Sequence, residues 1–226
     1  MSIIGSFISY TLAASLMLTQ AMSAAAPHLD INGTLFLVNR EHMVDANYLP
    51  ELRAANVPGT TRLMRPDAAE ALEEMFAAAK TQKIALRAVS GYRNYQTQAT
   101  IYKGRIAGGT KKSVVDAYVA IPGASEHQLG LAMDVGKMTG SNLTAAFGKS
   151  KEGQWLAKNC WKYGFIIRYQ EGWEDITGYN AEPWHVRYVG KEYARMIYER
   201  KVPLETFLAD LQVSLLIDMI KRDPKE

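Results

Sequence analysis

The sequence predicts an α+β fold, a small, mainly antiparallel sheet with flanking helices, on three observations. Short stretches of alternating polarity interleave with segments of helical period. Their spacing is too irregular for a doubly wound sheet. No glycine-rich phosphate loop follows any of the short strands. Composition agrees: of 226 residues 48% are apolar and 22% charged, enough for one substantial core and too little charge for disorder. The single cysteine, Cys160, excludes an internal disulfide framework and cysteine metal clusters. A formal charge of +3, from 26 basic and 23 acidic residues scattered along the chain, gives no nucleic-acid footprint.

Along the chain, residues 3–27 carry no charged side chain and end in small residues, so residues 1–25 read as a secretory signal peptide or as an N-terminal anchor associating with a membrane. Residues 26–226 are expected to form a single domain. TLFLV (34–38) suits a short strand, and DANYLPEL (45–52) a structured loop. From Pro66 to Lys80, Ala68, Leu72, Met75, Phe76 and Ala79 recur at helical spacing, with Pro66 opening the helix. KIALRAV (83–89) alternates as a strand, Tyr95–Ile106 reads as a helix ended by Gly108 and Gly109, and Lys111 and Lys112 read as a solvated loop. Leu131–Val135 is a strand candidate. A helix from about Lys151 includes Trp155, Cys160 and Tyr163. GFIIRY (164–169) and WHVRYV (184–189) are further strands, and Tyr193–Tyr198 gives another helical face. The end of the chain, PLETFLADLQVSLLIDMIKRDPKE (203–226), reads as an amphipathic helix stopped by Pro224, which either packs on the domain or serves a dimer or membrane surface; oligomeric state stays open.

Chemistry concentrates in two segments. In PGASEHQLGLAMD (122–134), a turn through Gly130 can fold His127 back beside Asp134. Imidazole nitrogen and carboxylate oxygen are both zinc ligands, although the pair is equally explained by a buried hydrogen bond. In TGYNAEPWHVRYVG (177–190), Glu182 and His185 would point to opposite faces of a regular strand, but an irregular turn at Pro183 lets both approach one point. His185 then completes a His/Asp/His set, and an unligated Glu182 can take a proton from water. An HExxH helix is absent from the sequence. Glu126 reads either as outer charge or as a solvated residue, Trp184 as packing, and Arg187 as a brace for a carboxylate behind His185.

These two segments, with SGYRNYQTQ (90–98), LFLVNREHMVDANYLPEL (35–52) and more loosely GFIIRY, resemble the VanY-like zinc D-alanyl-D-alanine carboxypeptidases (peptidase family M15, M15B type) over about residues 34–209. The resemblance implies a hedgehog/DD-peptidase-like fold and Zn²⁺ held by His127, Asp134 and His185, with Glu182 as catalytic base. It implies that Arg93 contacts substrate and stabilises developing negative charge, and that Gln98 and Ser125 hold the terminal residue. It further implies peptidoglycan stem peptides ending in D-Ala-D-Ala as substrate, and an exported, periplasmic or cell-envelope protein. Asn94 stands where serine is common and Ala181 where tyrosine is common, while Trp173 and its neighbours depart from the usual Gly-Lys pattern; all three bear on the pocket rim. An L,D-carboxypeptidase, a D,D-dipeptidase and a noncatalytic wall-binding module are the rival readings.

Overall fold

The computed structural model describes residues 30–140 and 143–222; the expected signal segment and His28 lie outside them. Leu37–Glu205 forms one compact unit, and the described residues before and after it form another. The larger unit contains two short strands, β1 (Arg53–Ala54) and β2 (Leu63–Met64), paired antiparallel. Its main sheet consists of β3 (Leu86–Ser90), β4 (Ala132–Lys137), β5 (Phe165–Ile167) and β6 (His185–Tyr188), in the order β3-β4-β6-β5 with every neighbouring pair antiparallel. β4 lies in the interior of the sheet, with Ala132, Met133 and Val135 fully buried.

The helices follow their sequence signals closely. Pro66–Thr81 starts with proline, whose missing N–H costs nothing in the first turn, and buries all five apolar residues of the expected face. Tyr95–Ala107 is capped by Asn94, whose side chain accepts from the Thr97 N–H at 2.8 Å, and ends at Gly108. Lys191–Arg200 and Leu204–Arg222 are also present. On the last, Leu204, Phe207 and Leu208 are buried, Leu211 and Leu215 are half-buried, and Ile220 is exposed.

Four local expectations need correction. TLFLV forms no strand: Asp30 closes a turn ahead of it, accepting from Asn32 N–H through its side chain and from Gly33 N–H through its carbonyl. Leu35, Leu37 and Val38 are buried all the same, so apolar patterning there reports burial without a ladder. β3 begins only at Leu86, because Lys83 turns the chain with φ of 60°. Lys112 opens a short helix, Lys112–Asp116, in place of a loop, and pairs with Asp116 at 2.7 Å one turn on. The helix Lys151–Asn159 stops early and tightens into a 3₁₀ turn, Cys160–Tyr163, closed by left-handed Gly164.

Candidate active site

Sheet register places the first pair of groups. Asp134 on β4 sits directly opposite His185 on β6 and also pairs with Ser90 across a bulge in β3. His127 comes from a 3₁₀ turn, Glu126–Leu129, whose exit is Gly130 at φ 69°. A Cβ at Gly130 would lie 2.9 Å from Leu52 Cδ2 and 3.1 Å from the Arg65 nitrogen, so this turn requires glycine twice over. Gly91 is required for a different reason: a Cβ there would meet the Leu63 carbonyl oxygen at 2.6 Å. That close approach lets the Gly91 carbonyl reach His127 Nδ1 at 2.8 Å, while Arg93 N–H donates to the His127 carbonyl at 3.2 Å.

Pro183 does what the sequence pattern requires of it. His185 N–H donates to the Glu182 carbonyl at 3.1 Å, closing a four-residue turn with proline in its second position. Glu182 N–H in turn donates to the Tyr169 carbonyl at 2.9 Å. Glu182 Oε2 therefore lies 3.7 Å from His185 Nδ1, on the same side as the sheet carboxylate.

The three groups converge. Asp134 Oδ1 is 3.5 Å from His127 Nε2 and 3.3 Å from His185 Nδ1, and one ligand atom from each residue lies within 4.8 Å of the others. All three side chains are buried, and among the described residues His127 Nε2 and Asp134 Oδ1 have no hydrogen-bond partner. Two imidazole nitrogens and a carboxylate oxygen, buried and turned on one point, fit a divalent metal of borderline softness and leave a coordination position open. The other ring nitrogens are also committed, His127 Nδ1 to the Gly91 carbonyl and His185 Nε2 to Glu126 Oε2 at 3.2 Å.

Burial and neighbouring charge pull the titratable groups apart. Burial pushes Glu182 up to about 8, His185 and Arg93 only partly opposing it. For His127, burial and Arg93 lower the imidazole to about 4. His185 is also disfavoured as a cation by burial, but Asp134 and Glu126 outweigh this and raise it to about 9. Burial opposes charge on Glu126 too, yet Arg168 and Arg187 hold it well below the usual carboxylate range. Arg168 Nε and Arg187 Nη1 donate to Glu126 Oε1 at 2.7 and 2.9 Å, and Arg168 forks onto Glu205 at 3.0 and 2.5 Å.

The remaining predicted residues fall in different places. Arg93, partly exposed, donates to Ser90 Oγ at 3.1 Å and lies 3.6 Å from Asp134, lining a cleft of about 410 Å³ over the cluster. Ser125 is buried and lines a small inner cavity of about 30 Å³ with Arg93 and Glu182. Gln98 is buried behind the cleft wall, donating to the Ala120 carbonyl at 2.7 Å. His42 pairs with Asn39 outside the cluster. A larger groove of about 830 Å³, walled by Trp161, Phe165 and Tyr198, contains neither metal-ligand candidates nor Glu182, so volume and chemistry part here.

Sequence reasoning missed Tyr118, Tyr169 and Tyr179, which line the inner cavity, and Arg168. The Tyr179 hydroxyl is buried with no hydrogen-bond partner among the described residues, and burial pushes it up to about 12, so it stays a proton donor. The one available signal was a charge placed directly after the apolar strand Phe165–Ile167, which identifies Arg168 as unusual without naming its partners.

Residues 61–191 match the family model described as VanY, D-alanyl-D-alanine carboxypeptidase. YodJ of Bacillus subtilis is 43% identical over 181 residues, covering 76% of this chain and 66% of YodJ, so the chain spans just under two thirds of that relative. Among solved structures, the LdcB LD-carboxypeptidase superimposes with a TM-score of 0.75 at 41% identity, covering 80% of this chain and 87% of LdcB. VanYB in complex with D-alanine-D-alanine gives 0.67 at 34%, covering 78% and 97%. Small antiparallel sheets flanked by helices are thus the fold of this chain and of its structural relatives.

Proposed function

Because the chain belongs to the D-alanyl-D-alanine carboxypeptidase (VanY) family, we propose that it is a zinc-dependent D,D-carboxypeptidase. Its substrate is a peptidoglycan stem peptide ending in D-Ala-D-Ala, and it hydrolyses the last peptide bond. The observation that carries this reading is the convergence of His127, Asp134 and His185 with a buried Glu182 beside them. His127, Asp134 and His185 hold the ion. Zinc bound there supplies Lewis acidity towards a carbonyl, acidifies water, and favours the ionised form of a nearby carboxyl group.

Glu182 Oε2 accepts the proton of the attacking water and later delivers it to the departing amine; a carboxyl raised towards neutrality by burial is suited to both transfers. Arg93 brings a fixed positive charge to the cleft wall, where it meets either the tetrahedral oxyanion or the terminal carboxylate. Ser125 bounds an inner cavity whose size suits a small terminal side chain, and Gln98 supports that wall through Ala120. The cell envelope, where such stems are found, is the proposed location. Among the described residues no helix is long and apolar enough to cross a membrane.

One observation favours a second reading: identity and TM-score are both higher with LdcB than with VanYB. An L,D-carboxypeptidase would use the same groups on a tetrapeptide stem. Incubation with pentapeptide stem, tetrapeptide stem and free D-Ala-D-Ala, with and without chelator, separates the readings by product mass. Chelator-sensitive release of D-Ala from the pentapeptide, restored by zinc, is expected. Release from tetrapeptide alone replaces the D,D reading with the L,D one. Cleavage of the free dipeptide alone indicates a dipeptidase, and no metal with no turnover a noncatalytic binding module.

A further inference from the structure

Beneath His185 lies a second set of charges that the proposed reaction does not use. Glu126 is 1% exposed, Arg168 1% and Arg187 0%, and Arg168 extends the set to Glu205 in the first turn of helix Leu204–Arg222. Two acids face two bases, so the assembly is neutral as a whole. Burying such a set is a poor way to gain stability, because well-packed apolar residues of similar volume often do as well or better. What it does provide is a charged acceptor at one defined place: Glu126 Oε2, 3.2 Å from His185 Nε2.

We propose that Glu126, held by Arg168 and Arg187 and braced through Arg168 by Glu205, is a positioning residue that makes His185 offer Nδ1 to the metal. The proposal rests on the reading that the His/Asp/His cluster binds zinc. With Glu126 as acceptor the ring proton stays on Nε2, and Nδ1, 3.3 Å from Asp134 Oδ1, is left to offer its lone pair to an ion shared with that carboxylate. His127 is set the opposite way by a neutral partner, the Gly91 carbonyl on Nδ1, and turns Nε2 to the cluster. The two imidazoles thus reach one point through different nitrogens because different acceptors stand behind them. The arginines prevent Glu126 from becoming a donor, and Glu205 prevents Arg168 from abandoning Glu126.

The test compares three zinc-loaded proteins: wild type, Glu126→Gln, and Glu126→Gln/Arg187→Met. The single variant leaves an uncompensated buried cation and is expected to lose stability along with zinc affinity. The double variant restores charge balance, and its melting temperature is expected to recover towards wild type. Its zinc affinity, measured by competition with a chromophoric chelator, is expected to remain about 10- to 100-fold weaker. Ring-nitrogen NMR is expected to find the His185 proton on Nε2 in wild type and a mixture of tautomers in the double variant. Wild-type zinc affinity and an unchanged His185 tautomer in the double variant would overturn the proposal while leaving the zinc reading intact. Failure of wild type to bind zinc would overturn both. Should the double variant not fold, Glu205→Gln, at the partly exposed end of the set, carries the test. A several-fold loss of zinc affinity with the fold retained supports the brace, and no loss overturns it.

Discussion

Glu182 and His185 are neighbours across one turn, yet substitution separates their roles. Glu182→Gln keeps the shape and removes the base: one zinc per chain is expected by metal analysis, with turnover on a D-Ala-D-Ala stem reduced about 10²- to 10⁴-fold. Near-normal turnover would remove Glu182 from the mechanism. Arg93→Met is expected to retain zinc and lose about 10²- to 10³-fold in kcat/KM, the scale of losing one oxyanion donor; an unchanged kcat/KM would make Arg93 a structural partner of Ser90 and Asp134 only. These residues are legible in sequence because they are specialised side chains set among Gly and Pro, where regular structure must bend. Tyr169, Tyr179 and Arg168 are not legible in that way. Arg168 meets acids 42 residues before it and 37 after, and nothing local announces either meeting.

Elements carry these residues by a few local devices. Asn94 caps Tyr95–Ala107 and adjoins Arg93, so its departure from the family's usual serine exchanges one good cap for another. Asn94→Ser is expected to be near neutral and Asn94→Ala to cost about 1 kcal/mol in denaturant unfolding; equal stability of the two would show that the cap contributes nothing. Helical period and end signals made Pro66–Thr81 and Tyr95–Ala107 readable to within a residue or so. Strand signals were weaker. TLFLV has the right composition but a turn made by Asp30 precedes it, and β3 is cut short by Lys83 in a left-handed conformation no pattern of apolar residues encodes. The bulge that sets Ser90 against Asp134 is likewise a property of two strands together.

At the scale of the molecule, α+β class and antiparallel pairing followed from the sequence, whereas the order β3-β4-β6-β5 depends on contacts between segments tens of residues apart. The buried charge set has a consequence for folding at low pH. Glu126 is held well below its ordinary 4.5, so in acid the unfolded chain takes up a proton that the folded chain refuses. Its contribution to stability is present above about 4.5 and is lost as pH falls further towards the folded value. Urea midpoints are expected to drop steeply from about pH 5 to pH 3 in wild type and less steeply in Glu126→Gln/Arg187→Met. Parallel curves would mean that Glu126 is not an ionised partner of the arginines.

Two distant segments meet to hold one ion, and anomalous diffraction at the zinc absorption edge reads that meeting without intermediates. Crystals of zinc-supplemented protein are expected to show one strong peak bounded by His127 Nε2, Asp134 and His185 Nδ1, with Glu182 close but not bound. A peak elsewhere, or none between these three side chains in a folded protein, would mean that they form no metal centre.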